Sequence, residues 1–286
     1  MNDAAIAVAG PVVKPARAAA RRDAAIAQAL PRILAPVAIG VITLLLWEIT
    51  VHVRGIEPYI LPSPLLIAQT LIANWGSLQV SLWVTLQTTA LALIVAVVLG
   101  VSLAILFTQS KWVELSFFPY AVILQVTPIV AIAPLIIIWV NDTRIALLIC
   151  AWIVAFFPIL SNTTLGLNSA DHNLLNLFQL YGASRFQMLR FLRLPAAMPY
   201  FLGGLRISGG LALIGAVVAE FVAGTGGQAS GLAYRILESG YQLQIPKMFA
   251  ALFLISLSGV CIFLVLTLVS HLVLRRWHES AIRREN

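Results

Sequence analysis

Glu220 is an acidic residue deep within an apolar stretch of the chain. A carboxylate inside a membrane-spanning helix disfavours insertion by roughly 2.5–3.5 kcal/mol, so such a residue is a functional candidate by default. Ser208, Ala212 and Ala216 precede it at intervals of four and share one helix face with it. This stripe predicts either close packing of two helices or one wall of a translocation path in which Glu220 is a gate or a solute contact. Both interpretations remain open, and they are compatible.

Two further polar residues are candidates for a translocation path. Gln125 and Thr127 lie in a proline-rich apolar stretch. A proline leaves backbone carbonyls without their helical partner, and such carbonyls can line a cavity. Glu48, by contrast, lies close to His52 and Arg54 near the end of its apolar run. We therefore expect Glu48 to pair or to reach the interface rather than to bind solute.

The sequence has no arrangement of residues that is typical of a membrane-embedded enzyme. Hydrolysis inside a membrane needs a nucleophile with a positioned base, and metal-dependent transfer needs clustered acids. The predicted spans contain no paired acids, and the four histidines lie at or beyond their ends; these are His52, His172, His271 and His278. Cys150 and Cys261 stand singly in apolar runs, as small buried hydrophobes do. We expect no catalytic residue, cofactor or metal in this chain.

The composition indicates a chain solvated largely by lipid. Of its 286 residues, 60% are hydrophobic and only 10% are charged, against about 25% charged in soluble domains. Helices of about 20 apolar residues cross a bilayer, and the charge-free runs predict an all-α protein with six such spans. We place them at about 33–53, 80–108, 117–140, 144–165, 202–224 and 246–274, with a short interfacial helix near 64–75.

The distribution of basic residues predicts the orientation. With six spans both termini lie on one side, and that side would hold thirteen of the eighteen Lys and Arg residues, against four on the other. Arg206 is left over and is placed at the cytoplasmic start of the fifth span. The positive-inside rule then puts both termini in the cytoplasm. The predicted domains are a partly disordered cytoplasmic tail over 1–32, a six-helix transmembrane domain over 33–274 and a cytoplasmic tail over 275–286. The net charge of +7 is thus explained by the membrane topology, and it indicates no nucleic-acid partner.

The longest cytoplasmic connection, about 166–201, has the pattern of a docking element. Leu174, Leu177, Phe178 and Tyr181 recur at helical spacing, Gly182 follows, and a second apolar helical pattern begins at Phe186. Glycine accepts the left-handed conformation that a tight corner requires. The pattern predicts two short amphipathic helices joined at Gly182, with Leu194-Pro195 ending the second. Such a compact pair of helices with an apolar face suits insertion into a groove of a partner protein.

This segment resembles the signature loop of the permease subunits of binding-protein-dependent ABC importers. That loop is Glu-Ala-Ala, three residues, Gly, nine residues, a branched aliphatic residue, one residue and Leu-Pro. Gly182 is followed here by nine residues, then Leu192, Arg193, Leu194 and Pro195. The upstream triplet differs, because Asn176, Leu177 and Phe178 replace Glu-Ala-Ala. The motif segments that extend the resemblance to the nitrate, sulfonate and taurine branch are Trp47-Glu48, Leu61 to Pro64, Pro128 to Leu135, Phe156 to Ile159, Gly204 to Ser208 and Val217 to Phe221.

The resemblance implies a type I importer permease fold in the bacterial inner membrane. Its implied partners are a second permease copy, most simply in a homodimer, two cytosolic ATPase subunits and a periplasmic solute-binding protein. It implies an ATPase-coupling loop that includes Asn176, Leu177, Phe178, Tyr181, Gly182, Ala183, Leu194 and Pro195. The chain has no Gly-Lys pair and hence no phosphate-binding P-loop, so we expect the partner ATPase to use the ATP.

Import of a nitrate-, sulfonate-, taurine- or thiamine-precursor-like solute is the function that the resemblance implies. The alternative is a proton-coupled secondary transporter, in which the lone Glu220 would carry the proton. Such a transporter does not need a docking segment such as 174–195, and six spans without an internal repeat are unusual for that class.

Overall fold

Apolar runs separated by prolines and charges give this chain helices, and we describe them in a computed structural model for residues 15–224 and 230–275, with side chains from residue 34 onward. No strand occurs in these ranges. The helices are α1 (Pro15–Arg54), α2 (Pro64–Ala73), α3 (Trp75–Gln109), α4 (Lys111–Val126), α5 (Ile129–Trp139), α6 (Thr143–Leu167), α7 (His172–Leu180), α8 (Arg185–Met188), α9 (Leu194–Ala223), α10 (Leu232–Tyr241) and α11 (Ile245–Leu274). A π-helical turn, Leu189–Arg193, joins α8 to α9.

Five of these helices are long and apolar enough to cross a bilayer, and α4 with α5 makes a sixth span if the pair is counted as one. This agrees with six predicted spans. The predicted crossing over 117–140 is not one straight helix, because α4 and α5 meet at 102°. Pro128 disfavours the helical conformation of the residue before it, and Thr127 is accordingly extended, with φ −71° and ψ 122°.

The chain divides into two compact units, the first of which comprises residues 1–57 and 63–65. It contains α1, which is helical from Pro15. Residues 15–32 of the predicted tail are therefore helical and continuous with the first span. The segment is rich in Ala and Arg, which have high intrinsic helix propensity. Residues 1–14 of the tail, and residues 276–286 of the predicted C-terminal tail, lie outside the described ranges.

The second unit comprises residues 58–62 and 66–286, and α3, α6 and α9 form its core. Small residues let these helices approach closely, as is usual in membrane proteins. A Cβ on Gly215 of α9 would lie 2.8 Å from the Cα of Ala151 on α6. Phe107, Ile159 and Leu160 are buried in the main apolar cluster between the same helices. The core thus consists of closely packed backbones with few large side chains between them.

α9 continues the helix that starts at α8, so that one helical segment extends from Arg185 to Ala223 over 39 residues. The predicted helix stop at Leu194-Pro195 is therefore wrong. A proline in a helix lacks its N–H donor, and its ring clashes with the carbonyl four residues before it. The wider π turn just before Pro195 accommodates it, with the Leu194 N–H donating to the carbonyl of Leu189, five residues earlier. The connection after α6 is correspondingly shorter than predicted.

Candidate functional site

The corner between α7 and α8 has a Schellman geometry centred on Gly182. Gly182 has φ +67°, in the left-handed region. Its N–H donates to the carbonyl of Gln179 (3.0 Å), and the Ala183 N–H donates to that of Phe178 (2.9 Å). These two bonds satisfy carbonyls that the end of α7 would otherwise leave free. The sequence prediction of a glycine corner at this position is confirmed.

Side-chain caps fix both helices that meet at this corner. The Asp171 carboxylate accepts from the Asn173 N–H (2.7 Å) at the start of α7. Ser184 and Gln187 form a reciprocal capping box at the start of α8. The Gln187 N–H donates to the Ser184 hydroxyl (3.2 Å), and the Ser184 N–H donates to the Gln187 side-chain oxygen (2.7 Å). The corner is therefore held by local bonds of its own.

Apolar side chains extend from this corner with little protein around them. Leu180 is 85% exposed and Tyr181 84% exposed, and Leu177 and Phe186 are also exposed. Phe178 points partly inward, whereas Asn176 is open to solvent. A concentrated apolar surface of this kind marks an interaction site. We call the segment from His172 to Met188 the coupling corner.

The coupling corner is tied to the end of α3 through the residues that follow it. Arg193 donates from a guanidinium nitrogen to the carbonyl of Thr108 (3.4 Å). Beside this contact lies a cavity of about 280 Å³, lined by Thr108, Gln109, Gln179, Arg185, Met188 and Arg193. Leu194 and Pro195 lie half-buried within the continuous helix. The end of the coupling corner is thus continuous with α9 in one helical segment.

Glu220 is 3% exposed and holds the beginning of α10. Its Oε2 accepts from the Ala233 N–H and from the Thr85 hydroxyl, both at 3.1 Å. The same hydroxyl accepts from the Leu232 N–H at 2.9 Å. The carboxylate and the threonine thus cap the first turn of α10 from two other helices, and negative charge is favourable at that end of a helix.

The beginning of α10 lies tightly against this carboxylate. A Cβ on Gly231 would overlap the carboxyl group of Glu220, so only glycine fits there. Farther along α10, Arg235 donates from Nε to the hydroxyl of Ser81 on α3 (2.9 Å) and pairs with Glu238 (2.8 Å). The sequence analysis did not predict α10, Thr85 or Ser81. The spacing of Leu232, Ile236 and Ser239 was a signal for the helix, whereas none indicated its partners on α3.

The other predicted path residues lie in different surroundings. Ser208 is buried and donates to the carbonyl of Ala155 on α6 (2.7 Å), so that its stripe packs α9 against α6. Gln125 is exposed near the end of α4. Thr127 lies at the bend before α5 and donates to the carbonyl of Ile123 (2.7 Å). The structure therefore brings Ser208 and Glu220 into the interior and leaves Gln125 and Thr127 at the α4–α5 bend.

Glu48 in α1 has the same kind of role as Glu220. Its Oε2 accepts from the Leu65 N–H (3.0 Å), in the first turn of α2, and its Oε1 lies 3.3 Å from His52. The expectation that Glu48 pairs is confirmed. Both acids that we describe within long apolar spans therefore cap the start of a short helix.

Long apolar helices, together with a capped corner that exposes apolar side chains, are the features of a polytopic membrane protein. Residues 96–279 match the family described as the binding-protein-dependent transport system inner membrane component, and the chain belongs to that family. It is a permease subunit of an ABC importer, which works in the inner membrane with an ATPase and a solute-binding protein.

Curated relatives resemble the chain over most of its length. A formylaminopyrimidine transport permease protein of Halalkalibacterium halodurans is 31% identical over 242 residues, which is 84% of this chain and 95% of that protein. A riboflavin transport system permease protein of Chloroflexus aurantiacus is 34% identical over 83% of this chain and 87% of that protein. The taurine transport system permease protein of Escherichia coli is 28% identical over 77% and 82%, respectively.

One solved structure supports the fold. The crystal structure of an amino acid ABC transporter with histidines contains a chain that aligns with a TM-score of 0.58. The alignment covers 71% of this chain and 96% of that chain, at 17% identity. The likeness confirms the predicted permease fold.

Proposed function

We propose that the coupling corner is the surface through which a separate ATPase drives this permease. The observation that carries the proposal is the Schellman corner at Gly182, which presents Leu180 and Tyr181 to solvent almost fully exposed. Helices that insert apolar side chains into a groove are a general form of protein recognition. Among the residues of the predicted ATPase-coupling loop, Leu177 and Tyr181 supply contact area and Gly182 and Ala183 supply the turn. Leu194 and Pro195 lie in the helix that carries the movement onward.

The experiment is to introduce an acid at the apolar edge of the corner. Tyr181→Glu places a charge where an apolar groove would otherwise enclose the ring, at little cost to folding, because the side chain is exposed. We expect the ATPase to be lost on co-purification from detergent while membrane insertion is unchanged. His172→Glu is the matched control, since it adds the same charge to the opposite side of α7, half a helical turn around. Retention of the ATPase by Tyr181→Glu would contradict the assignment.

The assembly that we propose contains two copies of this chain, two ATPase subunits and a periplasmic binding protein. Two identical subunits related by a two-fold axis are the simplest arrangement. Both termini lie in the cytoplasm, which is supported by the excess of Lys and Arg on that side. ATP hydrolysis is assigned to the partner ATPase, because the Gly-Lys pair of a phosphate-binding P-loop is absent from this sequence. Cross-linking of a purified complex would report the copy number.

The proposed cargo is a small polar solute of the classes for which the relatives are named. These classes include formylaminopyrimidine, aliphatic sulfonates, taurine and nitrate. Family membership favours ATP-driven import over the proton-coupled alternative, and the capping role of Glu220 accounts for that carboxylate without proton transport. Equilibrium binding of a panel of these solutes to the partner binding protein is the measurement that identifies the cargo.

We further propose that Glu220 is a gate residue that acts through α10 rather than by touching solute. The support is the direct bond from its carboxylate to the first turn of α10. Gln125 and Thr127, at the bend between α4 and α5, are the proposed solute-facing positions. Ser208 supports the path from behind, through its contact with α6.

A further inference from the structure

Arg206 is a cation at mid-height in the long helix that continues the coupling corner. It lies 12 residues after the start and 17 before the end of α9, or about 18 and 26 Å along the axis. The sequence prediction that Arg206 lies at the start of its span is therefore wrong, since the helix begins well before residue 202. A charge at this depth disfavours insertion, so an arginine here is a functional candidate.

No acid neutralises this arginine in the described part of the chain. Arg206 is half-buried, and its guanidinium lies over the ring of Phe263 on α11, 5.9 Å from the ring centroid. Its Nε makes no hydrogen bond, and none of the ion pairs between described residues includes it. The contact with Phe263 holds the charge in place and leaves donors of its planar fork available.

The helix face beside Arg206 is open. Gly203 and Gly210 lie one turn before and one turn after it, on the same side of α9. A Cβ on either glycine would meet no atom within 4 Å. Ile207 and Ile214 are exposed along the adjoining face. A cation flanked by two glycines therefore borders a space that protein atoms of this chain do not fill.

Lipid phosphate is too far away to occupy this position. The guanidinium is held at the level of Phe263, which lies 11 residues, or about 16 Å, from the nearer end of α11. That distance corresponds to half the hydrocarbon thickness of a bilayer. Neither does a second copy of the chain offer a free acid from its described spans, because Glu48 and Glu220 already cap α2 and α10.

We propose that Arg206 is an anion-binding residue of the translocation path, where its guanidinium pairs with an oxyanion group of the solute. A guanidinium binds carboxylate, sulfonate or nitrate oxygens through two parallel N–H bonds. Gly203 and Gly210 provide the room for the solute beside the helix. This inference rests on the proposed import function and adds the chemical class of the group that passes.

Cysteine modification tests this inference without knowledge of the cargo. The full chain, with Cys150 and Cys261 replaced by Ala, is assembled with its ATPase in lipid nanodiscs and carries Gly210→Cys. Anionic and cationic methanethiosulfonate reagents are compared, with and without ATP. Water must reach the thiol for it to react, and a nearby cation accelerates the anionic reagent. We expect modification in at least one state, and a fall of roughly tenfold in the anionic-to-cationic rate ratio when Arg206→Gln removes the charge.

Two controls make the result decisive. Arg206→Lys keeps the charge and should keep the rate ratio, while Ile94→Cys, an exposed position in the middle of α3, should remain unmodified in lipid. A thiol at Gly210→Cys that never reacts would show that lipid covers the site. A rate ratio that Arg206→Gln leaves unchanged would show that the charge of Arg206 does not act at that thiol. Either result, or equal reactivity of Ile94→Cys, overturns the inference. Failure of the coupling proposal would be distinguishable from failure of this inference, because the complex with the ATPase would then not assemble.

Discussion

Substitution of Gly182 by valine perturbs the coupling corner through the backbone alone. A Cβ at this position would meet no atom within 4 Å, so the substitution creates no clash. The left-handed conformation, with φ +67°, disfavours a residue with a Cβ by roughly 1–2 kcal/mol. A β-branched side chain is among the least tolerant at positive φ. Since 1.4 kcal/mol is a factor of ten, the equilibrium constant for forming the native corner should fall by roughly 5- to 30-fold.

Solute uptake into proteoliposomes, measured with its ATP hydrolysis, is the assay for this prediction. We expect Gly182→Val to insert normally and to import at a reduced rate, lower by as much as that factor, with ATP hydrolysis no longer stimulated by the binding protein. Gly182→Asn should retain most of the activity, because asparagine tolerates the left-handed region. Gly76→Val is a second control, at a helical glycine with equally open surroundings. Uptake by Gly182→Val at the wild-type rate would refute the reasoning.

Three further substitutions test the packing and the caps. Gly231→Ala should displace α10, because the new Cβ overlaps the Glu220 carboxyl group. We expect faster protease cleavage beside α10. An unchanged cleavage rate would contradict this contact. Gly215→Ala should lower the thermal midpoint in detergent by several degrees, since its Cβ meets the α6 backbone, whereas Gly210→Ala, in open space, should leave that midpoint unchanged. Asp171→Ala removes the cap of α7 and should raise amide exchange in that helix by about fivefold, in line with a cap of about 1 kcal/mol.

Local signals explain why the coupling corner could be predicted from sequence. The spacing of Leu174, Leu177 and Phe178 and the glycine after Tyr181 act within one helix and one turn. The Schellman bonds join residues at most five apart in the chain. A pattern confined to neighbouring residues is sufficient to specify such a structure.

The errors arose where a backbone alternative or a distant partner decides the structure. Leu194-Pro195 looked like a stop because a proline normally ends a helix, and a π turn absorbed it instead. That error shifted the start of the span and misplaced Arg206 in depth. The partner of Glu220, Thr85, is 135 residues away. No spacing rule links two residues so far apart, and only the packing of α3, α9 and α10 brings them together.

The continuous helical segment from Arg185 to Ala223 connects the coupling corner with the contact between Glu220 and α10. Its 39 residues correspond to a rod about 58 Å long. A tilt of about 5° at the coupling corner would swing the far end by about 5 Å, roughly the spacing of one helical turn. Glu220 and its contact with α10 lie at that far end. In the coupling proposed above, a rotation of this size at the corner would therefore be large enough to break the hydrogen bond between Glu220 and α10.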